Sequence, residues 1–102
     1  MSHRVQFSPE AQNDLLELYD YIADRAGAER AMAYVERIER HCAQLAMFPE
    51  RGTRRDDVRR GLRTIGFERR IAIAFNTDAG VVTILRVLYA GRELVGAFGE
   101  EE

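Results

Sequence analysis

Residues 69–92 limit the fold of this 102-residue chain more than any other stretch. They read Arg-Arg-Ile-Ala-Ile-Ala-Phe-Asn, then Thr-Asp-Ala-Gly, then Val-Val-Thr-Ile-Leu-Arg-Val-Leu-Tyr-Ala-Gly-Arg. Two runs rich in β-branched and aromatic residues flank a polar break at Asp78 and Gly80, which predicts a β-hairpin. The first run is apolar on both parities: Ile71, Ile73 and Phe75 on one, Ala72 and Ala74 on the other. A strand apolar on both faces is central and needs cover above and below. The rest of the chain must supply that cover. In the second run Val82, Ile84, Arg86 and Leu88 share a parity, so Arg86 interrupts an apolar row.

The N-terminal half supplies helices. Residues 3–7 alternate polar and apolar, as a short strand does. Ser8-Pro9-Glu10 is a helix start, with an N-cap hydroxyl, proline at the first helical position and an acid in the first turn. Ala11, Leu15, Leu18, Ile22 and Ala26 then recur at helical spacing, with Asp14, Glu17, Asp20 and Asp24 read as lying off that stripe. Tyr19 and Tyr21 flank it as core-edge aromatics. Gly27 ends this helix, and Ala31, Val35, Ile38, Cys42 and Leu45 mark a second that Pro49 stops. So short a linker forces an antiparallel helical hairpin. Residues 50–61 form a long charged loop, and residues 62–67 a weaker strand in which Gly66 suggests a bulge or turn. The expected fold is α+β, in the order β-α-α-β-β-β: a small antiparallel sheet with the helical hairpin on one face, one domain over 1–102, and 93–102 a flexible acidic tail.

Composition narrows the function classes. No apolar run approaches the length of a membrane span and the N-terminus is no signal peptide, so a cytoplasmic location is expected. Cys42 sits on an apolar stripe and reads as a small core residue. Two distant histidines and one cysteine offer no metal-ligand spacing, and no phosphate-binding glycine loop or cofactor motif is present. All fifteen basic residues are arginine, the side chain suited to bidentate carboxylate or phosphate contacts. The net charge of −2 argues against general or sequence-specific DNA binding. The charge is uneven, however. Residues 51–70 hold eight arginines against three acids, +5, which leaves −7 elsewhere.

Four segments in order carry a family resemblance: Val5-Gln6-Phe7-Ser8-Pro9-Glu10-Ala11 with Asp14-Leu15; Phe48-Pro49-Glu50-Arg51-Gly52; Leu62-Arg63 with the arginine-led strand at 69–75; and Ile84-Leu85-Arg86-Val87-Leu88-Tyr89-Ala90-Gly91-Arg92. Together they resemble the ParE branch of the RelE/ParE toxin superfamily, over about residues 4–94. The resemblance implies the toxin of a type II toxin–antitoxin pair, neutralised by a ParD-like antitoxin. It implies DNA gyrase as the target, reached by binding rather than by covalent chemistry. The RelE branch, which cleaves mRNA on the ribosome, is the alternative, and a non-toxic binding module with the toxin fold a third. A nuclease would need a base, an acid and cations, for which Glu68, Arg70, Arg86 and Tyr89 are the candidates. The acidic tail would repel RNA there. For antitoxin or target contacts the candidates are Arg54, Arg59, Arg63, Arg70, Arg86, Tyr89, Arg92, Leu94 and Phe98. Arg86 has two readings: a structural arginine bonded to a carboxylate or a loop carbonyl, or a partner contact. Two apolar hairpin faces with helices for only one predict that the second, near Ala72, Ala74 and the Arg86 row, is covered in part by Leu94, Val95 and Phe98 of the tail and for the rest by an antitoxin helix or strand.

Overall fold

The computed structural model of the chain describes residues 3–89. Arg92, Leu94, Phe98 and the whole 93–102 segment lie outside those residues. The elements are β1 (Arg4–Phe7), α1 (Pro9–Ala26), α2 (Ala28–Ala43), a 3-10 turn (Gln44–Ala46), β2 (Thr53–Arg54), β3 (Arg63–Phe67), β4 (Ile71–Asp78) and β5 (Val81–Tyr89). The strands form one sheet in the order β1-β5-β4-β3-β2. The β3–β4 and β4–β5 pairs are antiparallel, and β1 joins the far edge parallel to β5. No described helix is long and apolar enough to cross a membrane.

Local chemistry accounts for the helical hairpin. Ser8 is extended, and its Oγ accepts the Ala11 N–H at 3.0 Å, filling one of the donors that a helix start leaves orphaned. Pro9 follows where its missing N–H costs nothing. Gly27 is the whole linker. Its φ of 96° is open to glycine, its N–H closes α1 on Ala23, and its carbonyl receives the first bond of α2 from Ala31. The apolar stripes of both helices then meet one face of the sheet. Leu15 and Leu18 of α1 and Ile38 of α2 pack with Ile73, Phe75, Val82 and Ile84, all buried. Each such side chain contributes about 1.5–3 kcal/mol by leaving water.

Three expectations need correction. First, Gly66 is neither bulge nor turn: it is paired with Ala72 inside the ladder. The turn is Glu68-Arg69-Arg70, where Glu68 and Arg69 take positive φ. Second, the charged 50–61 loop has structure. It contributes β2, and residues 55–62 wind through local bonds such as Val58 N–H to Arg55 O and Leu62 N–H to Arg59 O. Leu62, 1% exposed, and Val58 thereby pack with Ala74 and Leu85 on the face away from the helices. The second face is therefore covered around Ala74 by the chain's own loop, without a partner. Third, the apolar row through Arg86 does not exist. Ala74 stands opposite Arg86 but Phe75 stands opposite Ile84, so Leu85 is an extra residue in β5. This bulge switches parity. Val87 and Tyr89 follow Val82 and Ile84 to the helical face, and Leu85 turns to the other.

Candidate functional site

The bulge is tied to the start of α1. Ser8 N–H donates to the Ile84 carbonyl at 2.9 Å, and Ser8 Oγ donates to the Leu85 carbonyl at 3.0 Å. Asp14 takes the rest. Its Oδ2 accepts from the Val87 N–H and from Arg86 Nε, both at 2.8 Å, and its Oδ1 accepts from Arg86 Nη2 at 2.9 Å. Backbone groups that a bulge drops from the ladder are thus satisfied by two residues at the start of α1, Ser8 and Asp14. Asp14 is buried and Arg86 largely so. The side-chain bond to Asp14, ahead of the attraction between the charges, holds the Arg86 guanidinium above its ordinary value despite burial. The bond is bidentate and charge-assisted, the strong class of such contacts. Asp14 lies in the α1 stripe and not off it, which corrects the sequence reading.

Beside this node the strand end is aromatic. Asp14, Glu17, Leu18, Tyr21, Val87 and Tyr89 line a shallow hollow of about 160 Å³. The Tyr21 and Tyr89 rings lie 5.5 Å apart at 58°, and the Arg25 guanidinium sits 3.8 Å over Tyr21. Tyr89 faces Ile71 across the ladder, next to the Glu68-Arg69-Arg70 turn. Left-handed backbone at two consecutive non-glycine residues is uncommon and needs support. Here Arg37 of α2 supplies it, donating from Nε and Nη2 to the two Glu68 oxygens at 3.1 and 3.0 Å. That bond raises the Arg37 pKa. Tyr34 packs edge-on to Phe67 at 5.8 Å. Burial first, then the Glu68 charge, raises its phenol pKa.

The arginine loop is largely occupied with itself. Arg54 pairs with Asp56, and Arg55 grips Asp57 through Nε and Nη2. Arg63 Nη1 donates to the Glu50 carbonyl at 2.7 Å, and Arg51 Nη1 to Gln44 Oε1 at 3.1 Å. Arg59 also has a partner. The Gly61 N–H, ahead of Arg54, pulls the Asp56 pKa down, and Arg55 does the same for Asp57.

The nuclease candidates are therefore split. Glu68 belongs to an ion pair with α2, Arg86 to one with α1, and Tyr89 packs at a tilt against Tyr21. Arg70 lies exposed in the turn. Tyr34, Arg37 and Asp14 escaped the sequence reading as members of this region. Among the described residues no group of three or more His, Cys, Asp and Glu could hold a metal ion. Cys42 is fully buried, and burial pushes its thiol up to about 12, so it is no nucleophile.

A family model described as the ParE toxin of the type II toxin-antitoxin system, parDE, matches residues 5–94. Two relatives from Mycobacterium tuberculosis (strains CDC 1551 / Oshkosh and ATCC 25618 / H37Rv), both called Toxin ParE1, are 30% identical over 89 residues, 87% of this chain and 91% of theirs. Among solved structures, one from the chromosomal ParDE system of P. aeruginosa aligns with a TM-score of 0.77 at 24% identity, over 87% of this chain and 97% of that one. A chain of the toxin-antitoxin complex RelBE2 from Mycobacterium tuberculosis aligns with a TM-score of 0.62 at 19% identity, over 87% and 99%. At these identities the two structures speak for the fold alone: a mixed five-stranded sheet with two helices.

Proposed function

This chain belongs to the ParE toxin family of type II toxin–antitoxin systems, and from that premise we propose that it acts by binding DNA gyrase and is silenced by a ParD-like antitoxin. The observation that carries the binding reading is the division of the would-be nuclease residues into two separate ion pairs. Both Glu68 oxygens are taken by Arg37, and the Arg86 fork by Asp14. A general base must reach the proton it removes, and a cation the charge it stabilises. Neither group is offered to one common point. What the chain offers instead is an arginine-rich, aromatic surface, the composition that dominates protein interfaces. The antitoxin half draws on two similar folds having been solved from ParDE and RelBE2 toxin–antitoxin systems. The +5 stretch at 51–70 would meet an acidic antitoxin segment, where opposite charge speeds encounter.

Purified protein, gyrase and supercoiled plasmid test this together. Trapped double-strand cleavage is expected, while mRNA on translating ribosomes stays intact. Cut mRNA with plasmid left uncleaved would replace the reading with a RelE-type interferase. In cells, the double substitution Glu68→Gln, Tyr89→Phe should leave toxicity within about threefold, because it removes acid–base groups and keeps shape.

A further inference from the structure

The turn that joins β3 to β4 is strained and displays charge. Glu68 and Arg69 hold φ of 50° and 69°, and the turn contains no glycine. Such backbone persists only where its surroundings fix it. Two contacts from α2 do so. Phe67, just before the turn, is buried and packs on Tyr34 and His41, with ring centroids 5.8 and 5.1 Å away. Arg37, on the same helix, closes on both Glu68 oxygens.

The same clasp decides where the excess charge of 51–70 is available. In the loop, Arg54 and Arg55 are matched by Asp56 and Asp57, while Arg51 and Arg63 donate to Gln44 and to the Glu50 carbonyl. In the turn the acid is matched by Arg37, a cation from outside the stretch, which leaves the charges of Arg69 and Arg70 uncompensated. Both arginines are exposed, and among the described residues neither is held by a carboxylate. Tyr89 faces Ile71 at the foot of the turn, with Tyr21 packed against it. Arginine beside tyrosine recurs at the centres of interfaces.

The surroundings select the partner. A guanidinium fork matches a carboxylate or a phosphate. A nucleic-acid strand wants a cationic track and open ring faces for its bases. Here the two tyrosine rings are tilted at 58° against each other, and Asp14 and Glu17 line the hollow beside them. Two neighbouring forks with acids on one flank suit a short peptide that carries two carboxylates, each met by a charge-assisted bond.

We propose that the 68–70 turn is the docking point for an acid-rich segment of a protein partner, with Arg69 and Arg70 as its carboxylate contacts and Arg37 as the positioning residue that holds the turn in this form. The proposal rests on the reading that an acidic antitoxin segment meets this chain, and it moves the contact from the 51–63 loop to the turn.

A fluorescent decaglutamate peptide titrated into the full chain at low salt tests the site. The measurement needs no antitoxin, gyrase or ribosome, so its failure is told apart from failure of the partner or target. Arg69→Gln with Arg70→Gln should raise the dissociation constant about tenfold or more, whereas Arg54→Gln with Arg55→Gln, an equal change of net charge, should raise it less than about twofold. Binding should weaken as salt is added. Glu68→Ala separates position from charge. It removes a negative charge from the turn but also releases the turn from Arg37, so it should weaken binding about threefold or more, where charge alone would tighten it. Circular dichroism and melting curves should show that every variant folds. Equal losses from the turn pair and the loop pair would overturn the proposal, and so would tighter binding by Glu68→Ala. A single-stranded oligonucleotide of matched length that binds more tightly than the peptide, and is lost with the same Arg69 and Arg70 substitutions, would assign the turn to nucleic acid and overturn it equally.

Discussion

Two bidentate arginine–carboxylate pairs in this molecule are nearly superimposable as geometry and unlike in consequence. Arg86 reaches Asp14 through Nε and Nη2 at 2.8 and 2.9 Å, and Arg55 reaches Asp57 through the same atoms at 2.9 and 2.9 Å. The first pair joins residues 72 apart and has an Asp14 side chain 4% exposed, whereas the second joins residues two apart and leaves Asp57 66% exposed. In water the Arg55–Asp57 attraction is screened and two long side chains lose freedom to make it, so such pairs contribute little. In the interior a lone charge cannot be tolerated, so the Asp14–Arg86 pair is indispensable once either member is present. The difference shows what distance alone cannot. The inner pair fixes how α1 meets the β5 bulge, and the outer pair only ties a loop to itself.

The largest effect expected follows from removing one inner partner. Asp14→Ala strands the Arg86 guanidinium and the Val87 N–H, and should cost about 3–5 kcal/mol in urea unfolding, out of the roughly 5–15 kcal/mol typical of whole domains. The double substitution Asp14→Leu, Arg86→Met removes both charges and should recover most of that loss, leaving about 1–3 kcal/mol for the unpaired Val87 N–H. If the double variant were as unstable as the single one, packing at the bulge and not charge would be the cause.

A smaller effect tests whether the outer loop is held by its charges or by its backbone. Gly52→Ala introduces a Cβ at φ 85° against the Thr64 carbonyl. It should cost about 1–3 kcal/mol through left-handed strain and displacement of the 47–52 turn. A melting curve equal to the parent's would mean that β2 can slide off β3 freely.

Burial, the variable that separates the two pairs, also acts on a single group. The Cys42 thiol is pushed up to about 12 from its ordinary value of 9.0, because burial disfavours the thiolate. A raised acid contributes stability in full below its unfolded value and loses it as pH rises. The chain should therefore weaken progressively between pH 9.0 and about 12. Cys42→Ala should flatten that stretch of the curve. Unchanged alkaline sensitivity in the variant would place the loss elsewhere.

Most of the framework was legible in the chain. Ser8-Pro9-Glu10 marks the start of α1, Gly27 the break between helices, and the β-branched runs the two central strands. The site was legible only as two anomalies. Arg86 stands among apolar residues in β5, and Asp14, read as lying off the α1 stripe, stands three residues after Ala11 and four before Leu18, a spacing that places it inside. Each anomaly was the other's partner, but pairing two residues 72 apart needs the topology that places β5 beside α1. The bulge was hidden for a different reason. One extra residue changes the parity of everything after it, and no side chain near Leu85 announces it. The cover of the second face was hidden because Val58 and Leu62 are isolated among charges and show no period. The 90–102 segment, with Arg92, Leu94 and Phe98, lies outside the described residues.

The smallest effects separate two carboxylates within the outer loop. Asp57, itself exposed, is held by Arg55 and the adjacent backbone, and its pKa is lowered chiefly by the Arg55 hydrogen bond. Asp57→Asn should therefore leave the melting temperature within the scatter of the parent at neutral pH. Asp56 differs because its Oδ1 accepts the Gly61 N–H at 2.8 Å, the first cause of its lowered pKa, which makes it a clasp on the 56–61 turn. Gly61 holds φ 82° at that turn, and Leu62 beyond it covers Ala74. A depressed carboxylate contributes above its unfolded pKa and loses that contribution as pH falls through the lower folded value. Asp56→Asn should accordingly give a small but measurable loss at neutral pH that disappears below pH 3.8, along with faster hydrogen exchange at the Gly61 and Leu62 amides. Equal behaviour of the two variants would mean that the charge on Asp56 adds nothing to the Gly61 bond, and that Leu62 does more than this clasp to anchor the loop to the sheet.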